Sequence, residues 1–140
     1  MSSSLIYNMK PDEELQIQLE FKKNMINFFD ELIELLPSES DLIYIRIYLK
    51  DQVPIIDVIN HFILEILPQE DRIVRRDERF FLENTNLFVG LEEYKDNVNH
   101  FKKIYRSPCL DDEDKEVIWK WIDTFVFLAK KYQKIKINLK

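Results

Sequence analysis

Two histidines, one cysteine and a few dense charged clusters are the residues of this 140-residue chain from which chemistry could be built. A metal centre needs three or four ligands within reach of one another. His61 and His100 form no His-x-x-x-His or Glu-x-x-His pair, and the lone Cys109 cannot build a structural zinc site. Cys109 follows Pro108 with no histidine nearby, so it reads as a loop residue rather than a nucleophile. The run "DDEDKE", Asp111 to Glu116, lacks the glycine at position six and the spaced ligands of a calcium loop. It reads instead as a solvated helix start, with acidic charge matched to the positive end of the dipole. The single glycine, Gly90, excludes a P-loop and a dinucleotide fingerprint, since both need several glycines where backbone meets phosphate. The expectation is a chain with no metal, no cofactor and no enzyme activity.

The densest charged stretch is "RRDERFFL", Arg75 to Leu82. In one continuous helix, Ile73 and Phe80 would share a face and Arg76 and Asp77 would fall on the stripe between them. Burying such charges unpaired costs several kcal/mol in rough terms. A break in the helix is cheaper. Asp77 then caps a new short turn, and Phe80 and Phe81 anchor it on the core. Arg72, Arg75 and Arg76 complement the carboxyl end of the helix before it. The competing reading is a partner-facing patch, in which Arg75, Arg76 and Arg79 hold a carboxylate or phosphate bidentately.

Two further features admit a partner. "KKYQKIKINLK" carries Lys130, Lys131, Lys134, Lys136 and Lys140 and no acidic side chain. Lysines suit the end of a helix, but they also suit a tail for nucleic acid or an acidic protein, with Tyr132 for stacking. Trp119 and Trp121 are two apart, so they cannot share a helix face. Trp121 lies on an apolar seam. Trp119 points elsewhere, and interfaces favour tryptophan, so a homodimer or another protein contact through Trp119 competes with its packing under a neighbouring helix.

These side chains must be positioned by helices. Residues 1–10 read as a flexible leader, and Pro11 with Asp12, Glu13 and Glu14 as a helix start. Phe21, Met25, Phe28, Leu32 and Leu35 step by three and four, with a second row beside them, as far as Pro37. Ser38 and Asp41 resemble a capping box. "LIYIRIYLK" fits a strand by its Ile43/Ile45/Ile47 alternation and a helix by Leu42/Ile45/Leu49, and the cap favours helix. A third, central helix opens around Asp51 and Pro54, carries Ile55, Ile59, Phe62 and Ile66, and closes at Pro68. Leu91 to Arg106 forms a fourth, and Ile118 to Ile135 a fifth. The expected fold is all-α: a single compact bundle of about five main helices plus one or two short turns, over residues 11–136, with a basic end at 137–140.

The totals agree. Hydrophobic residues make up 46%, enough for a real core in one domain. The net charge of -6 argues against broad nucleic-acid coating. One cysteine permits no internal disulfide and suits a reducing compartment. No secretory signal is visible at the amino terminus, and no run of about 18 apolar residues can span a membrane.

Three segments carry a resemblance: "FFDELIELLPSESDLIYIRIYL", "VINHFILEILPQEDRIVRRDERFFLE" and "VIWKWIDTFVFLAKKY". Together, over roughly residues 25–135, they resemble a group of small helical proteins of nucleocytoplasmic large DNA viruses. The wealth of Ile, Asn, Lys, Phe and Tyr beside one glycine and one alanine matches AT-rich coding. The resemblance brings no catalytic residue. It implies Arg76, Asp77, Glu78, Phe80, Phe81 and Trp119 as signature positions. It also implies a setting in the virion or the host cytoplasm of an infected cell, with the nucleus open as well, and a viral or host protein as partner.

Overall fold

A computed structural model describes the backbone of residues 2–84 and 102–138, with side chains from 12 to 83 and from 102 to 137. Six helices are present there: α1 (Ser2–Leu35), α2 (Asp41–Asp51), α3 (Ile55–His61), α4 (Glu70–Val74), α5 (Glu78–Asn84) and α6 (Asp112–Asn138). A further helical turn covers 102–105. No strand occurs among the described residues, so the chain is all-α as expected. Most of the helix expected from Leu91 to Arg106, together with Gly90, His100 and Lys140, lies outside the described residues.

Helices α1 and α6 pack along each other, α2 covers α1, and α3 with the turn after it lies against both. The apolar row of α1 does what its spacing dictates: Phe21, Met25, Phe28 and Leu32 are all buried. They meet Phe62 and Phe125 in one aromatic cluster. Phe21 lies 5.2 Å from Phe125 and edge-on to Phe62 at 5.4 Å, and Phe28 lies edge-on to Phe125 at 5.7 Å. Edge-on contact sets the positive ring edge against a negative ring face, a gain beyond the buried area.

Helix α2 settles the ambiguous stretch. Leu42, Ile45 and Leu49 turn inward together while Ile43 and Ile47 face out. A strand would put Ile43, Ile45 and Ile47 on one side. Period 3.6 wins because α1 offers a stripe to cover, not a sheet edge. The expected Ser38 cap is not formed. The helix starts at Asp41, Ser40 makes no side-chain cap bond, and the free N–H groups of Leu42 and Ile43 donate to the carbonyls of Glu39 and Ser40.

Three other boundaries differ from expectation. Helix α1 runs from Ser2, so it passes through the stretch read as a leader rather than starting at Pro11. An interior proline forfeits one backbone bond, and Leu5, Met9 and Lys10 have the propensity to carry the helix past it. Pro68 does not close the third helix either. The chain widens into a π turn, Phe62–Ile66, with the Leu67 N–H reaching the Phe62 carbonyl, then tightens into a 3-10 turn, Leu67–Gln69. Proline cannot donate to the carbonyl four residues back, and its ring crowds it, so the ladder reroutes instead of stopping. Asp51, expected at the opening of α3, ends α2 instead.

Candidate functional site

The corner at Arg76 is where the sequence concentrated its charge, and the helix does break there. Val74 is the last residue of α4 and Glu78 the first of α5. The Arg76 N–H donates to the Ile73 carbonyl at 3.0 Å and the Asp77 N–H to the Arg72 carbonyl at 2.9 Å. These are the two bonds of a Schellman closure, which needs a left-handed residue between them. That residue is Arg76, at φ 54°. Glycine is usual there, and a side chain costs about 1–2 kcal/mol.

The guanidinium of Arg76 offsets this cost. It donates to both carboxylate oxygens of Asp123 at 2.9 and 2.7 Å, and lies 3.5 Å from Glu116. It also donates to the Ile73 carbonyl at 3.0 Å and lies 5.3 Å from the centre of the Trp119 ring. The hydrogen bond to Asp123 raises its pKa further, so it is a permanent cation. Asp77 caps α5 as read, accepting from the Phe80 N–H at 3.3 Å. It also pairs with Arg72 at 3.1 Å, and Arg72 lies 3.7 Å over the Phe80 ring. Phe81 is buried against Trp119, 5.2 Å between centroids.

A second chain of bonds ties the corner to α6. The Trp119 indole N–H donates to the Tyr105 hydroxyl at 2.9 Å, and that hydroxyl donates to Glu78 at 2.6 Å. Burial, then the bond to Glu78, pushes the Tyr105 pKa well above the usual phenol value, so the proton stays on tyrosine. Trp119 is therefore 3% exposed and presents no surface to a partner. The turn at 102–105, distant in sequence, supplies its cover. The seam tryptophan, Trp121, is the less buried of the two and donates to Glu31 at 2.7 Å. Of the arginine patch, Arg75 and Arg79 are exposed, whereas Arg76 is occupied within the chain.

The break after Val74 creates a groove. Helix α4 is one and a half turns long, too short to cover α6 fully. Ile73 is buried, but its neighbour Val74 is 69% exposed, and Phe127 on α6 is 63% exposed. They face a groove of 580 Å³, whose floor also includes Val126. The Arg76–Asp123 clamp stands at one end. At the other, Lys130 pairs with Glu70 at 3.0 Å, and Lys131 and Lys134 stand exposed. Neither of these two has an ion pair among the described residues. Lys136 is tied back to Glu14 of α1 at 3.2 Å. Lys130 and Lys136 are thus held within the chain, so the described tail lysines are not one free basic strip.

Val74 and Phe127 were not singled out from sequence, yet a signal existed for the second. Phe127 sits in register with Lys120, Asp123, Lys131 and Lys134, a lone aromatic on a charged stripe. The remaining chemical candidates stay apart. Among the described residues, no three His, Cys, Asp or Glu are grouped to hold a metal ion. Cys109 is exposed in the loop before α6. Asp111 and Asp114 cap the start of α6 reciprocally at 2.8 and 3.1 Å, as a dipole-matched start requires. His61 lines a second, more open depression of 480 Å³ with Asp57, Asn60 and Glu65. No described helix is long and apolar enough to cross a membrane. No protein-family model matches the chain, no curated protein matches it, and no solved structure matches it.

Proposed function

We propose that this chain is a non-enzymatic protein that works by protein–protein contact, through the face formed by α4 and α6. The observation that carries this reading is the pair Val74 and Phe127. Two large apolar side chains stand more than three-fifths exposed at one groove, beside lysines that have no ion pair among the described residues. Water gains by losing contact with such a surface, and aromatic anchors with a charged rim are the usual anatomy of a protein interface. The groove suits a helix laid along it, by the helix-in-groove mode. The partner is another protein or a second copy. The resemblance to proteins of large DNA viruses supports placing this contact in the virion or the cytoplasm of an infected cell. Nucleic acid fits less well, because Lys130 and Lys136 are already paired and the net charge is -6.

The test replaces Phe127 with the photo-crosslinker p-benzoylphenylalanine in the producing cell, with exposed Glu34 on α1 replaced in the same way as control. Protein adducts from position 127 and few from position 34 are expected. Equal yields from the two positions, or nucleic-acid adducts from position 127, would overturn the reading.

A further inference from the structure

We infer that the α4–α6 face binds a second copy of this chain, with the two α6 helices antiparallel about a two-fold axis. This rests on the protein-contact reading and names its partner. A two-fold interface meets itself, so one face must carry both halves of each contact. This face does. Phe127 projects as a knob, and the groove floored by Ile73, Val74 and Val126 lies directly beside it. Phe127 also falls within one turn of an axis between Asp123 and Thr124, near the middle of α6 (Asp112–Asn138), so such an axis brings each Phe127 to the other copy's groove.

Charge fixes the direction. Along the solvent face of α6, Glu113 and Glu116 precede Phe127, and Lys131 and Lys134 follow it. A parallel pair would set lysines on lysines and glutamates on glutamates. An antiparallel pair sets Lys131 and Lys134 against Glu116 and Glu113 of the other copy, and both pairs have the same three-residue spacing. Lys131 and Lys134 lack an ion pair among the described residues, so they are available for this. For two chains of net charge -6, such a match also selects one approach over the rest. At 1.5 Å per residue α6 is about 40 Å long, so the contact covers roughly 800 Å² in total plus the edge of α4. That lies below the standard interface of about 1,600 Å², in the size class of weak, transient contacts.

Light scattering coupled to gel filtration reads the mass directly. The full chain at about 200 μM should elute as a dimer, as a small interface requires high concentration. A monomer there overturns the inference. Phe127→Asp should weaken association about 30-fold or more, as loss of a central aromatic anchor does. The decisive pair is Lys131→Glu/Lys134→Glu and Glu113→Lys/Glu116→Lys. Each alone should be monomeric, and their mixture should restore a dimer, with circular dichroism confirming that both fold. A mixture that stays monomeric, or a dimer indifferent to Phe127→Asp, overturns the arrangement. In the crosslinking test above, an adduct with a different protein, beside a monomeric wild type, sinks the dimer but keeps the protein-contact reading.

Discussion

Arg76 holds a glycine's conformation with an arginine's side chain, and its two roles can be separated. Arg76→Ala keeps the left-handed strain and loses the guanidinium. Arg76→Gly loses the guanidinium and the strain together. Because Asp123 and Glu116 are about half exposed, their pairing is worth little after solvent screening. The alanine variant should lose about 1 kcal/mol or less, and the glycine variant, relieved of the left-handed strain, should be about 1 kcal/mol more stable than the alanine one. Urea unfolding of both variants measures the difference. Equal stabilities would show that the backbone of residue 76 stores no strain. At this scale the sequence was half legible. Asp77 as a cap followed from the cost of leaving charge on an apolar stripe, a local argument. Trp119 was misread, because its cover, Tyr105 and Phe81, comes from segments that no local pattern joins to it.

At the scale of elements, the apolar rows were the readable part. Rows stepping by three and four placed α1, α2, α3 and α6, since each row must cover a neighbour. The ends were less readable. Pro11 and Pro68 interrupt local hydrogen bonding, but packing on both sides carries the helical path past Pro68 regardless. The joint between α5, the turn at 102–105 and α6 was illegible because its contacts, the Tyr105 hydroxyl at their centre, join separate segments. Tyr105→Phe removes the acceptor for the buried Trp119 N–H and the donor to Glu78. An unsatisfied buried donor costs about 1–3 kcal/mol. A thermal melt of this variant should fall accordingly, whereas an unchanged melt would mean that the Trp119 N–H finds another acceptor.

For the whole molecule, two tyrosines couple stability to alkali. Burial raises the pKa of Tyr105 and, at the α1–α6 contact, of Tyr132, which donates to Glu14 at 3.0 Å. A raised folded pKa means that the unfolded chain releases its phenol proton first. The stabilisation is thus complete below the unfolded value, near pH 10, and is lost progressively as pH rises above it. Unfolding free energy should decline steeply from about pH 10 upward. Replacing Tyr132 by Phe should flatten that limb relative to the wild type, followed by urea unfolding across pH 9 to 12 (about the phenol range). A limb unchanged in slope would remove Tyr132 from this role.

The Arg76–Asp123 clamp also sets an order of events. Its two residues lie 47 apart in the chain. Before α6 arrives, the left-handed backbone at Arg76 has only its local bonds, to the Ile73 carbonyl and between Arg72 and Asp77, and lacks the pairing that fixes the corner to the bundle. The corner is therefore expected to form late in folding, after α1 pairs with α6, and φ-values near zero for substitutions at Arg76 and Asp123 would check this. The groove beside it shares that timing: the surface on which the chain is read to meet its partner comes into being only once the rest of the molecule is already in place.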